Sequence, residues 1–352
     1  MSDIASFYKG KKVLITGHTG FKGSWLCQIL LGFGAHVSGF SLEPNTHPNL
    51  YSSLELDKFV NSKISDIRDP SAVLDFVREQ KPDIIFHLAA QPLVRESYDD
   101  PLYTFNTNAL GTANVLEAIR KTSHTKSAVI ITTDKVYENK NTMHPYCEGD
   151  ELGGYDPYGS SKVCAEIITK SYIRSFFNPD NSDSRPHCLI ASARAGNVIG
   201  GGDWSKDRLI PDIIRAKQSG KPLIIRNPSA VRPWQHVLDP LFGYLLLAKG
   251  LFEGKKELVG AFNFAPEKEN LISVKEIVQK SGSKFEIVPD NSKHEHQLLA
   301  LDASKAKKLL GWKPKLGINN SIDWTSDWYE KFYQKKSMVE YTTAQIEKYA
   351  KL

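Results

Sequence analysis

Cysteine is scarce: four residues, Cys27, Cys147, Cys164 and Cys188, in a chain of 352. No two form a C-x-x-C pair and none belongs to a cluster with metal-ligand spacing, so neither a disulfide framework nor a metal site is expected. Free thiols in a reducing cytoplasm are the expectation. Long apolar runs are missing as well. No stretch reaches the roughly 18 apolar residues that span a bilayer. The opening "MSDIASFYKGKK" lacks the long apolar region of a signal peptide, so no membrane partner is expected. Charge of one sign is not in large excess: 45 Lys and Arg stand against 40 Asp and Glu, a formal +5 spread along the chain. That balance suits a small anionic ligand and gives no reason to expect nucleic acid. Repeats and low-complexity tracts are also lacking.

What remains is an ordinary globular composition, 41% hydrophobic and 24% charged, able to bury a sizeable core. The length suggests two domains, or one large domain with an appendage. Strand-like runs alternate with helix-like segments. "KKVLITG" (11–17) is a strand and "SWLCQILLGFG" (24–34) a helix ending in glycines; "HVSGF" (36–40), "VNSKISD" (60–66) and "DIIFHLAA" (83–90) are strands, with the helix "SAVLDFVREQ" (71–80) between the last two. A long helix is expected over 99–121, a strand at 128–131, a helix over 158–177 and a strand within 188–200. Strands separated by helices pair in parallel. The fold class is therefore α/β, a doubly wound parallel sheet. Beyond the polar loop "NPDNSDSRP" (178–186) the pattern loosens into shorter pieces: 222–226, 236–251, 273–282 and 302–312. The division expected is 1–178 for a first domain and 179–352 for a smaller, mixed one, with 188–200 and 231–260 returning to the first.

"TGHTGFKG" places glycines at 17, 20 and 23, directly after the first strand and at the start of the first helix. Gly17 permits a tight turn, Gly20 lets the backbone approach a pyrophosphate, and Gly23 allows close packing. The helix N-terminus then offers free N–H groups to phosphate. This is the dinucleotide signature of a Rossmann sheet. An acidic residue near the end of the second strand would mark NAD, but "GFSLEP" has only Glu43, late; no arginine is there to meet a 2′-phosphate either. The reading leans to NAD through that absence. His18 within the loop could touch the pyrophosphate or point to solvent, and Lys22 could reach a phosphate.

The strand "AVII" (128–131) runs into Thr132, Thr133, Asp134 and Lys135. In doubly wound sheets ligands bind beyond the carboxyl ends of strands, so these polar groups read as part of an active site. Tyr158 and Lys162, in "DPYGSSK", share a helix face at i and i+4. Lys162 could lower the Tyr158 pKa and make the phenol a usable base. With Thr133 and the glycine loop they match the short-chain dehydrogenase/reductase arrangement, in its extended form.

The resemblance goes further. "GHTGFKGSWL", "HLAAQPLVRESY", "TTDKVYEN", "DPYGSSK", "ARAGNVIGGGDW", "DRLIPD" and "RPWQHVLDPL", in that order over about 17–241, resemble the CDP-glucose 4,6-dehydratases, with "FNFAP" and "LGW" carrying the remainder. The resemblance implies a cytoplasmic homodimer, paired through the helices at 99–121 and 158–177, that binds NAD and CDP-glucose. Its smaller domain would be the nucleotide-sugar domain. Tyr158 would take the proton of the sugar 4-hydroxyl, Lys162 would hold the nicotinamide ribose, and Thr133 would bond the 4-oxygen. Asp134 would act as acid in the elimination, and Lys135 as base or as electrostatic stabiliser. Gly17, Gly20, Phe21, Lys22, Gly23, Asp66, Ile67, Leu88, Ala89, Ala90 and Gln91 would line the cofactor. Asn197, Leu209 and Arg232 would meet the sugar nucleotide. Dehydratases acting on dTDP-glucose or GDP-mannose carry glutamate at position 135. Epimerases and 4-reductases need Tyr158, Lys162 and the threonine but not the Asp134–Lys135 pair. A binding protein without chemistry would be expected to lack Tyr158 or Lys162, and both are present. Ile322, Trp328 and Tyr329, at near-helical spacing, read as core packing.

Overall fold

The structure is a computed structural model that describes residues 2–142, 144–181, 187–267, 271–290 and 298–352. The end of the polar loop expected at 178–186 lies outside the described residues from 182 onward. Seven parallel strands form one sheet, with Gly260–Phe264 at one edge beside Leu189–Ala195 and Asn61–Ile64 at the other. They are β1 (Lys12–Thr16), β2 (His36–Ser41), β3 (Asn61–Ile64), β4 (Ile84–His87), β5 (Ser127–Ile131), β6 (Leu189–Ala195) and β11 (Gly260–Phe264). The order 3-2-1-4-5-6 reverses beside β1, the crevice where doubly wound sheets bind dinucleotides. The fold is the α/β Rossmann arrangement expected from the alternation of strands and helices.

Side-chain alternation divides the core in two. Val13 and Ile15 of β1 and Val129 and Ile131 of β5 face the helices Phe21–Gly32 and Leu238–Phe252. Leu14, Ala128 and Ile130 face the opposite layer, built on Pro70–Gln80 and Gly111–Arg120. The central strands β4, β5 and β6 therefore bury both faces, whereas the edge strand β3 is exposed along its length. The smaller pairs lie above the carboxyl edge: β7 (Val198–Ile199) with β10 (Gln235–His236), β8 (Leu223–Ile225) with β13 (Phe285–Ile287), and β9 (Val231–Pro233) with β12 (Leu271–Ser273).

The helix expected over 99–121 begins at Pro101. Asp100 caps it by accepting from the Tyr103 N–H at 2.9 Å, and proline fits the first helical position. Within it, Asn106–Leu110 is a π-helical turn, followed by Gly111–Arg120. The chain also ends on a helix, Met338–Lys351, which leans on the first Rossmann helix through Gln28 Nε2 donating to Thr343 Oγ1 at 2.9 Å. Ile322, Trp328 and Tyr329 of the helix Ile318–Tyr333 are buried core residues.

Candidate active site

The glycine loop joins β1 to the helix Phe21–Gly32. Gly17 has φ +75°, and a Cβ there would stand 2.7 Å from the Ala89 nitrogen. A Cβ on Gly23 would meet the Gly17 carbonyl at 2.1 Å, so the close approach it permits is between helix and loop. Gly20 is the helix N-cap and supplies no side-chain cap. The first N–H groups of the helix thus have no intrahelical partner and are open to an anion.

His18 takes neither of the two places expected for it. Its ring is buried over Gly39, where a Cβ would lie 2.3 Å from it, and its Nε2 is 2.7 Å from Ser62 Oγ on β3. Burial lowers its pKa to about 4, so it is neutral. The absence of a side chain at Gly39 makes this seat, and nothing in the loop motif signals it.

A cavity of about 660 Å³ runs from this loop across the carboxyl edge of the sheet to the region of β8 and β9. Apart from His18, the site residues named from the sequence line it: Gly17, Gly20, Phe21, Lys22 and Gly23; Asp66 and Ile67; Leu88 to Gln91; Thr133, Asp134 and Lys135; Tyr158 and Lys162; Asn197, Leu209 and Arg232. Asp66 is held by a two-pronged contact from Arg68, at 2.9 and 2.6 Å, which keeps its carboxyl below the usual range. From the end of β2 onward, Ser41 to Asn45 also line the cavity, and Thr19 Oγ1 donates to the Leu42 carbonyl at 2.8 Å.

Thr133 lies just past the end of β5 and caps the short turn Asp134–Val136. Its hydroxyl donates to Asp134 Oδ1 at 3.0 Å. Asp134 is buried; burial raises its pKa, while Lys135, Thr133, Arg232 and Lys22 pull it back. Its Oδ2 has no hydrogen-bond partner. A Cβ on Gly196 would stand 3.0 Å from that oxygen and 2.5 Å from Pro233 Cγ, so a side chain there would crowd both.

Tyr158 and Lys162 lie in the first turns of Pro157–Phe176, capped by Asp156 accepting from the Gly159 N–H at 2.8 Å. The phenol is not lowered as the i,i+4 spacing suggests. Burial pushes it up to about 12, with a Thr133 hydrogen bond and Arg208 opposing. The Lys162 ammonium is turned beneath the site, donating to the Ile131 carbonyl at 3.0 Å, and burial lowers it to about 8.

Several neighbours escaped the sequence reading. Asn108, in the π turn, bonds both backbone groups of Gln91, at 2.9 and 3.0 Å, and Ser161 Oγ at 2.8 Å, tying the β4 loop to the Tyr158 helix. π turns recur at functional sites, but sequence periodicity does not reveal them. Glu166, one turn after Lys162, is buried against Arg194 at 2.9 Å and accepts from Thr132 and Ser192. Arg194 also donates to the Tyr137 hydroxyl at 2.8 Å. Among the described residues no group of side chains has the make-up of a metal site.

Comparison with known proteins agrees with this geometry. The GDP-mannose 4,6 dehydratase family model matches residues 14–325. The chain is 42% identical over 350 residues to a CDP-glucose 4,6-dehydratase of Salmonella typhimurium, covering 98% of this chain and 97% of that one. An epimerase from Methanothermobacter thermautotrophicus shares the fold with a TM-score of 0.79 at 23% identity, over 94% of this chain and 96% of that one. A dTDP-glucose 4,6-dehydratase from Bacillus anthracis, solved in complex with NAD, does so with a TM-score of 0.76 at 22% identity, over 93% and 99%. With the strand-end triplet, the Tyr158–Lys162 pair and the glycine loop on one cavity, the chain belongs to the GDP-mannose 4,6 dehydratase family, within the extended short-chain dehydrogenases/reductases.

Proposed function

We propose that this chain is a lyase converting CDP-D-glucose to CDP-4-keto-6-deoxy-D-glucose and water, with NAD recycled in each turnover. The observation that carries the reading is the Thr133–Asp134–Lys135 strand end on the same cavity as Tyr158 and Lys162, since an epimerase or 4-reductase has no use for the Asp134–Lys135 pair. The near full-length identity to the Salmonella enzyme supports CDP-glucose as the substrate.

The residues fit a dinucleotide: an uncapped helix start at Gly20, a left-handed Gly17, and no cation at Ser41–Asn45 to hold a 2′-phosphate. Gly17, Gly20, Phe21, Lys22 and Gly23 would hold the pyrophosphate, Asp66 and Ile67 the adenosine, and Leu88 to Gln91 with Lys162 the nicotinamide riboside. The bound dinucleotide would supply a hydride acceptor for C4 and a hydride source for C6. The chain's own groups do the rest. Tyr158 takes the proton of the 4-hydroxyl, and Thr133 bonds the same oxygen and orients it. For a phenol pushed up by burial, Arg208 is a cation that eases the proton transfer. The 4-keto group acidifies C5–H; Lys135 takes that proton or stabilises the resulting enolate, and Asp134 protonates the leaving 6-hydroxyl. Arg232 suits the diphosphate, because guanidinium meets it bidentately. Asn197 and Leu209 complete the sugar-nucleotide wall.

In this reading residues 1–178 form the dinucleotide domain and 179–352 mainly the nucleotide-sugar domain. The protein acts as a homodimer: Leu102 (75% exposed), Leu110 (56%) and Ile167 (55%) present apolar surface on the two long helices. A reducing cytoplasm fits the four free thiols.

The test is incubation with NAD and CDP-, dTDP-, GDP- or UDP-glucose separately, followed by mass spectrometry. Loss of one water from CDP-glucose is expected. Loss from another sugar alone reassigns the base, and a 4-epimer of unchanged mass would favour an epimerase.

A further inference from the structure

His87 is the last residue of β4, paired with Thr16 at the end of β1, and its side chain is buried. Both ring nitrogens are bonded. Nδ1 lies 2.7 Å from Thr16 Oγ1, and Nε2 lies 3.0 Å from Thr112 Oγ1. The other partners of those hydroxyls fix the direction of each bond. Thr112 donates its one hydroxyl hydrogen to the Asn108 carbonyl at 2.7 Å, because a carbonyl only accepts. Thr112 therefore accepts from His87, and Nε2 carries the ring hydrogen. In the neutral ring Nδ1 is then the acceptor. Thr16 donates to it and itself accepts from the Ala89 N–H at 3.2 Å.

The far side of Asn108 is directed in the same way. Its Oδ1 accepts from the Gln91 N–H at 2.9 Å, so its Nδ2 is the donor, to the Gln91 carbonyl at 3.0 Å and to Ser161 Oγ at 2.8 Å. Ser161 in turn donates to the Tyr158 carbonyl at 2.7 Å. One chain of hydrogen bonds, all pointing the same way, thus runs from Ala89 through Thr16, His87, Thr112, Asn108 and Ser161 to the backbone of Tyr158. Thr16 directly precedes Gly17 of the glycine loop, and Ala89 and Gln91 line the cavity.

We propose that His87, held as its neutral Nε2-protonated tautomer, is a positioning residue: it joins the loop lining the dinucleotide site to the turn that carries Asn108, and through Ser161 it sets where the helix Pro157–Phe176 places the Tyr158 phenol. The role of that phenol rests on the dehydratase reading above; the tautomer does not. The ring suits the task because it keeps one state. Burial lowers its pKa to about 3, and the Lys162 charge acts in the same direction. A hydrogen on Nδ1 would deprive the Thr16 hydroxyl of its acceptor. Aligned hydrogen bonds reinforce one another, and a break leaves buried polar groups unpaired.

NMR of the full-length protein with isotope-labelled histidine nitrogens reads the tautomer without substrate, His87 being assigned by its absence from His87→Gln. A pyridine-like Nδ1 and a pyrrole-like Nε2 are expected, unchanged through the range around about pH 6.5 where an ordinary histidine titrates. The opposite tautomer, or titration in that range, would overturn the proposal. Variants then separate the two arms. His87→Leu should lower kcat and weaken NADH binding, followed by fluorescence, by about tenfold each, the effect of leaving a buried hydrogen-bonding group unmatched. His87→Gln keeps a donor for Thr112 and should restore mainly kcat. His87→Asn keeps an acceptor for Thr16 and should restore mainly NADH affinity. A lower Tm with kcat and affinity unchanged in His87→Leu, or equal losses in all three variants, would show a structural role only and overturn the proposal. Failure to dehydrate any nucleotide sugar would overturn the reading of the reaction, whereas the nitrogen shifts and NADH affinities judge His87 alone.

Discussion

Glu166→Gln removes one charge from a pair that holds the floor of the site. Glu166 and Arg194 are both about 95% buried, their closest atoms 2.9 Å apart. The carboxylate also accepts from Thr132 at 2.5 Å and Ser192 at 2.7 Å. Glutamine keeps the shape and part of the hydrogen bonding but leaves the guanidinium unpaired. Breaking a buried pair by removing one partner costs about 3–5 kcal/mol, and retained hydrogen bonds place this change near about 3. At about 2 °C per kcal/mol, the low end for large domains, Tm should fall by about 6 °C. The loss should depend on pH. Arg194 and the hydrogen bonds hold the Glu166 carboxyl below its ordinary value against the effect of burial. A depressed carboxylate contributes stability above its unfolded pKa, about 4.3, and loses it as pH falls through the folded value. The gap between wild type and variant should be full at pH 7 and narrow below about pH 4. Urea unfolding at several pH values measures it. A difference under about 1 kcal/mol at pH 7 would refute the argument, because it would mean Arg194 finds an equivalent partner.

Other changes separate the proposed roles. Tyr158→Phe should lower turnover by about 10²–10⁴ while the fold persists, the range for a positioned general base; retention of a tenth of the rate would reassign it. Lys135→Met should still form bound NADH from substrate but lose dehydration, read by single-turnover absorbance beside mass spectrometry of the sugar; dehydration at the wild-type rate would move the base elsewhere. Gly39→Ala should destabilise the dinucleotide half, since the new methyl would stand 2.3 Å from the His18 ring. Overpacking of this kind costs about 1–3 kcal/mol, and an unchanged Tm would show that His18 moves freely.

Much of this site was legible in the sequence because its signals are local. The glycine spacing at 17, 20 and 23, the apolar run into Thr133–Lys135, and the Tyr158–Lys162 interval each lie within a few residues, and secondary structure projects them to one edge. What escaped depends on partners far along the chain. His18 is buried because Gly39 and Ser62 make room and a partner for it. Lys162 turns to the Ile131 carbonyl, so the spacing that joined it to Tyr158 did not show where its charge goes. The Glu166–Arg194 pair spans 28 residues, and the corner shared by Lys22 and Tyr244 joins helices far apart in the sequence. The break at Asp100–Pro101 was visible as a cap followed by proline, yet periodicity alone ran the helix through it.

The central claim is that one cavity oxidises C4 and then eliminates water across C5 and C6. Turnover of CDP-glucose with NAD in D₂O tests it most directly. The account predicts a product lighter by one water and carrying one solvent deuterium at C5, with hydrogen from C4 appearing at C6. Product without water loss, or water loss with no solvent hydrogen at C5, would contradict it.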